Sequence, residues 1–185
     1  MPEKLLLEAE NSMKKSIEVF KSELSKIRTG KATPSLLDGI TVEYYGVKSP
    51  LNQVATISTP DPKMIVVQPW DKTVLSVIEK EILKANIGLT PSNDGNVIRM
   101  AIPPLTEERR KEIIKTLKKL AEDIKIGIRQ IRRDNIEKLK EMKKDGKTSE
   151  DDEERLEKEI QKITEKYVSL VDEILLKKEN EILEH

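Results

Sequence analysis

One uninterrupted helical pattern constrains this chain more than any other feature. Pro103-Pro104 ends what precedes it, Thr106 opens the pattern, and no proline interrupts it as far as Gly146. Apolar residues recur at Ile113, Leu117, Leu120, Ile124, Ile128, Ile131, Leu139 and Met142, in steps of three and four except for a longer gap across Asn135. At 1.5 Å per residue, about 40 residues extend roughly 60 Å. That is too long for a helix inside a compact domain. The spacing therefore predicts the spine of an elongated bundle whose apolar stripe is covered by other segments.

Beside that stripe run Lys125, Arg129 and Arg132, with Arg133 next to them. Spacings of three and four put these cations on neighbouring turns, where they can span adjacent phosphates. An exposed helix also needs charge for solubility, and Asp134, Glu137 and Glu141 neutralise part of this one. Spacing alone does not separate the two readings. The wider charge distribution adds weight to the first. Residues 104–147 carry a net charge of +6 and residues 148–185 one of −7, although the whole chain sums to zero. Opposite charge favours pairing of these two segments and leaves the spine as the natural polyanion-facing element.

Two further helices are predicted to cover the spine. Residues 4–29 carry Leu6, Met13, Ile17, Phe20, Leu24 and Ile27, with Ala9 filling the early gap and Gly30 as a stop. After a charged turn through Gly146, Ser149-Glu150-Asp151-Asp152 reads as a capped helix start. Leu156, Ile160, Ile163, Tyr167, Leu170 and Ile174 then repeat by four and three. These stripes predict an antiparallel three-helix bundle.

Between residues 31 and 104 the period changes. Strands are expected over residues 40–45, 54–58, 64–68 and 96–102, punctuated by Pro60, Pro62 and Pro69. Asp71 is placed to cap a helix bearing Val74, Leu75, Ile78, Ile82 and Ala85, and Asn93-Asp94-Gly95 marks a turn. The fold class is therefore α+β, an elongated antiparallel three-helix bundle with an inserted small β/α/β domain. The bundle domain comprises residues 1–30 and 105–185, and the inserted domain residues 31–104. The two connecting strands must lie side by side. Gly30-Lys31 and Pro103-Pro104-Leu105 form the expected joint, a hinge of restricted swivel because glycine permits rotation and the proline pair limits it.

Most catalytic chemistry lacks its residues. Cysteine is absent and the one histidine is His185, which leaves no thiolate chemistry and no His-centred acid–base or metal site. No phosphate-loop or dinucleotide fingerprint occurs. Tyr44-Tyr45 and Trp70 could stack on bases, although in a strand-rich domain such rings usually pack in cores or turns. No signal peptide or membrane span is expected. Leu183-Glu184-His185 matches the start of a common purification tag, so His185 is given no functional weight.

Several longer words resemble one family. They are Ile27-Arg28-Thr29-Gly30-Lys31-Ala32-Thr33-Pro34, Val42-Glu43-Tyr44-Tyr45-Gly46, Asn93-Asp94-Gly95-Asn96-Val97-Ile98-Arg99 and Pro103-Pro104-Leu105-Thr106-Glu107-Glu108-Arg109-Arg110. Arg129-Gln130-Ile131-Arg132-Arg133 and Ser149-Glu150-Asp151-Asp152 complete the set. In order and across essentially the whole chain, they resemble the bacterial ribosome recycling factors. The resemblance implies an L-shaped, tRNA-sized protein without catalytic residues, metal or cofactor, working as a cytoplasmic monomer without membrane contact. It implies the 70S ribosome, the large-subunit rRNA and elongation factor G as partners in splitting post-termination ribosomes. It also implies rRNA contacts at Arg129, Arg132 and Arg133, with Arg28 and Lys31 as further basic positions near the joint; the helical spacing adds Lys125 to the expected rRNA-binding set. Two rivals stay open: a bundle adaptor that binds only protein, and an enzyme using the inserted domain.

Overall fold

The computed structural model describes residues 2–184; His185 lies outside the described residues. The chain divides into two compact units, residues 2–27 with 108–184 and residues 28–107.

The first unit is built on α3 (Glu107–Lys144), a helix of 38 residues, about 57 Å long. Its buried stripe is Ile113, Leu117, Ala121, Ile128, Asn135 and Leu139, while Leu120, Ile124, Ile131 and Met142 are half-buried. The gap read at Asn135 is therefore filled by Asn135 itself. Its Nδ2 donates to the Ile131 carbonyl at 2.7 Å, and a satisfied amide can be buried where an unpaired one could not. The end of α3 is a Schellman turn. Gly146, with φ 72°, lets Gly146 N–H reach the Lys143 carbonyl and Lys147 N–H the Met142 carbonyl.

Helix α4 (Glu150–Leu183) starts at Ser149, whose side chain accepts from the Asp152 N–H, with four acids in the first turn. Its stripe differs from the expected one. Thr164 and Val171 are buried, whereas Ile163, Leu170 and Ile174 are half-buried. Thr164 can take the inner position because its hydroxyl donates to the Ile160 carbonyl at 2.8 Å.

Helix α1 (Pro2–Ser25) buries Leu5, Ala9, Met13, Ile17, Phe20 and Leu24, so Leu5 rather than Leu6 begins the stripe. The helix also stops four residues earlier than the expected limit at residue 29. Lys26 and Ile27 N–H groups bond back three residues to Glu23 and Leu24, which tightens and ends the last turn. Gly30, at φ 79°, redirects the chain beyond the helix rather than capping it.

Cross-helix contacts fix the directions. Leu5 of α1, Leu139 of α3 and Leu156 of α4 share one apolar cluster. Arg155 bonds Glu3, and the Tyr167 hydroxyl donates to Glu10 at 3.0 Å. Helices α1 and α4 thus run parallel to each other and antiparallel to α3. Burial, with the Glu10 carboxylate adding to it, pushes the Tyr167 hydroxyl up to about 12, so it stays a donor.

The second unit has its own core, including Leu37, Val42, Ile65, Val67, Ile78, Ile82, Ile98 and Met100. Strands β1 (Thr41–Tyr44) and β2 (Val47–Pro50) form an antiparallel hairpin. Strands β3 (Ala55–Asp61), β4 (Met64–Pro69), β5 (Pro91–Asn93) and β6 (Ile98–Ala101) form an antiparallel sheet in the order β3-β4-β6-β5. Helix α2 (Leu75–Lys84) follows a 3₁₀ turn capped by Asp71. Strands β2 and β5 were not expected. Each is a short edge strand containing proline, which erases the alternation by which strands are recognised. Strand β3 carries Pro60 where its pairing with β4 slips between Ser58 and Asp61, the kind of irregularity that tolerates a missing N–H.

The residues expected as the joint, Gly30, Lys31, Pro103, Pro104 and Leu105, all fall inside the second unit. The β3–β4 turn gathers both connecting strands, because Ala32 N–H donates to the Pro62 carbonyl at 2.6 Å and Ile102 N–H to the Lys63 carbonyl at 2.8 Å. Leu105 packs so closely on Gly30 that an added Cβ would lie 3.3 Å from its Cγ.

Separate cores make separate stabilities. Ile65→Ala, at a fully buried site, should cost about 2–5 kcal/mol. Hydrogen exchange read by mass spectrometry should then quicken in β4 and β6 and stay unchanged in α3. Equal loss of protection in α3 would show one cooperative core instead of two.

Candidate functional site

Antiparallel packing of α3 on α4 decides which of the four expected cations are available. Leu139 lies opposite Leu156, Arg132 reaches Gln161 and Lys125 reaches Asp172. Every seventh residue of α3 thus meets α4, and a cation at such a place is drawn to the acidic partner helix.

Lys125 is therefore set apart from the arginines. Its ammonium group is ion-paired with Asp172, and its side chain is only 15% exposed. Arg132 is half-buried, with its Nη1 donating to Gln161 Oε1 at 3.1 Å. It leans on α4. Arg129 has a loose partner, Glu122, at 3.6 Å. Arg133 is exposed and makes no ion pair or hydrogen bond with the described residues.

Arg133 is exposed and Arg129, one turn before it, is half-buried with its side chain 41% exposed, and the two form the part of this face with no recorded bond to α4. Ile126, exposed at 51%, lies one and two turns before them. Lys140 extends the same face two turns beyond Arg133, exposed and without an ion pair among the described residues. Its spacing from Arg133 was visible in the sequence, but it stands outside the dense arginine word. Next to Arg132 a shallow groove of about 350 Å³ is lined by Ile136, Glu154, Glu157, Lys158 and Gln161. Guanidinium groups held on a rigid helix suit a surface of regularly spaced phosphates.

In the second unit, Arg28 is half-buried, and its guanidinium lies against the loop at Gly88. A Cβ there would approach Arg28 Nη1 to 2.9 Å, and Gly88 has φ 77°. Glycine at 88 thus makes room for an arginine that has no ion pair or hydrogen bond among the described residues. Lys31 is exposed nearby in the chain. Among the described residues no group of three or more His, Cys, Asp or Glu side chains is arranged to hold a metal ion. Among the described residues no helix is long and apolar enough to cross a membrane.

The family model for ribosome recycling factor matches residues 20–183. The chain belongs to the ribosome recycling factor family. A ribosome-recycling factor of Carboxydothermus hydrogenoformans is 52% identical over 183 residues, covering 99% of each chain. One of Acetivibrio thermocellus is 55% identical over 175 residues, covering 95% of this chain and 96% of that one. Among solved structures, the solution structure of a ribosome recycling factor superposes with a TM-score of 0.80 at 40% identity, over 100% of this chain and 98% of the other. A second describes the T. thermophilus ribosome recycling factor and the E. coli elongation factor G bound to the E. coli post-termination complex. It aligns at 46% identity with a TM-score of 0.66, over 99% of each chain. Family members thus share the helical bundle and the small antiparallel domain.

The charge geometry makes opposite predictions for two substitutions. Arg133→Ala removes a group with no partner to strand, so it should weaken binding to large ribosomal subunits roughly tenfold and leave Tm unchanged. Asp172→Asn should lower Tm by unpairing Lys125 and strengthen the same binding by releasing a cation. Co-sedimentation and thermal melts check both, and matching effects on binding would remove the distinction between the two cations.

Proposed function

We propose that this chain binds the post-termination ribosome through phosphate contacts to large-subunit rRNA and, with elongation factor G and GTP hydrolysed by that partner, splits it into subunits. The observation that carries this reading is a pair of arginines on α3, in a chain that belongs to the recycling factor family across most of its length. Arg133 is exposed and without a partner among the described residues, and half-buried Arg129 is held only loosely by Glu122 at 3.6 Å. A related structure placed with elongation factor G on a post-termination complex supports the choice of partner. Sequence-independent contacts suit the task, because folded RNA is recognised largely by shape and backbone charge.

By this reading the protein is not an enzyme. The energy comes from the partner's nucleotide, and this chain supplies a rigid body that transmits displacement. The bundle is suited to that, since its helices bury a long, largely apolar stripe and Lys143 holds the buried Glu153 at 2.9 Å. It works as a cytoplasmic monomer; sedimentation at twice 21.2 kDa would remove the monomer from this account.

Light scattering of post-termination ribosomes tests the proposal. Wild-type chain with elongation factor G and GTP should lower the scattering as subunits separate, and omission of GTP should prevent it. The Arg129→Ala, Arg133→Ala double variant should split more slowly at physiological salt and recover at higher protein concentration. No splitting by the wild-type chain would overturn the function. Equal rates for the double variant would overturn the assignment of the face.

A further inference from the structure

The second unit displays two aromatic rings that its fold leaves in solvent. Tyr45 is 84% exposed and Trp70 66% exposed, against the expectation that both would pack in a core or turn. Each is held rather than loose.

Tyr45 and Gly46 are the two-residue loop between β1 and β2, and both have positive φ, 49° and 79°. That geometry favours asparagine, aspartate or glycine and disfavours a bulky side chain. Burial does not offset the strain, because the residue stays 84% exposed, with its ring edge-on to Tyr44 at a centroid distance of 4.5 Å. An exposed residue kept in a disfavoured conformation points to use rather than to folding. The indole of Trp70 is oriented by a 2.8 Å hydrogen bond from its Nε1 to Thr56 Oγ1.

One hydrogen bond links the two places. The Tyr44 hydroxyl donates to Asp71 Oδ2 at 3.2 Å, so the hairpin tip is fastened to the residue after Trp70. Asp71 is otherwise occupied with the Thr73 hydroxyl and N–H, at 2.7 and 2.9 Å, and those bonds hold its carboxyl below the usual range. Glu43 faces Lys48 in the strand pairing without an ion pair. Lys48 and Lys72 are exposed and unpaired among the described residues.

We propose that this face of the second unit docks unpaired RNA bases, with Tyr45 and Trp70 as stacking platforms and Lys48 and Lys72 as phosphate partners. Oriented rings, each followed by an unpaired lysine two or three residues on in the sequence, are what a single strand requires, since every base offers a π-face and every link a phosphate. Tyrosine and tryptophan are also enriched in protein–protein contacts, but lysine is depleted there, so the two unpaired lysines favour a polyanion. The site is distinct from the arginine face of α3 and does not depend on it.

Trp70 is the only tryptophan, so its emission reads the site directly. The full chain is titrated at physiological ionic strength with a single-stranded RNA of about 12 nucleotides, and with an abasic oligonucleotide of equal length. The base-bearing strand should quench Trp70 saturably and the abasic one should not. Tyr45→Asn removes the ring but suits the loop better, so the unfolding midpoint should hold or rise while the affinity read at Trp70 falls roughly five- to a hundredfold. Lys72→Ala, at an exposed and unpaired position, should weaken it several-fold without touching the turn. The Arg129→Ala, Arg133→Ala variant should leave this isotherm unchanged, which separates the proposal from the role given to α3. Absence of base-dependent quenching, or a Tyr45→Asn isotherm equal to the parent's, overturns the proposal. So does quenching by RNA-free elongation factor G or ribosomal proteins in place of RNA, which would assign the face to a protein.

Discussion

A helix of 38 residues cannot keep its apolar stripe dry by itself, and the organisation of the bundle follows from that constraint. Two more long helices must lie along α3. One comes directly after it, because a Schellman turn at Gly146 sends α4 straight back. The other comes from the start of the chain, about 80 residues away in sequence. The bundle therefore closes only by bringing distant segments together, and the intervening residues form a second unit with its own core. Every buried residue of that core belongs to the second unit.

Covering the stripe also sorts the charges. The basic spine meets an acidic partner helix, and cations along that seam are spent on packing: Lys125 on Asp172, Lys143 on Glu153. What remains for a polyanion is the part of α3 that turns away, Arg129 and Arg133 with Lys140 beyond them. Exposed ion pairs add little to stability, so the value of this charge pattern lies in the potential it presents rather than in holding helices together. The function proposed for the chain grows from those remaining cations, not from the total of basic side chains.

The long periods were legible because each helix repeats its apolar signal over many turns. One period could place Leu117, Ile128 and Leu139, and equally Leu156 and Ile160, without any tertiary information. It could not distinguish Ile163 from Thr164, since burial of the threonine depends on its hydroxyl finding the Ile160 carbonyl. Short edge strands carried no period at all, which hid β2 and β5. Among the candidate site residues, the arginine word was visible but the fate of Lys125 was not. Its pairing follows from the register of α3 against α4, a property of two helices together. The exposure of Tyr45 and Trp70 likewise belongs to the folded unit, because a ring in a strand-rich segment gives no sign of which way it faces.

The central claim is that open arginines on α3 hold the ribosome through phosphate charge. Its most direct test is the dependence of binding to large ribosomal subunits on salt, measured for the parent chain and for the Arg129→Ala, Arg133→Ala variant. Lys177→Ala, an exposed change on α4, serves as the control. Each lost phosphate contact should flatten the plot of log affinity against log salt by about 0.7 to 0.9, so the double variant should be shallower by about 1.4 to 1.8 and the control unchanged. A double variant with the parent's slope would contradict the account.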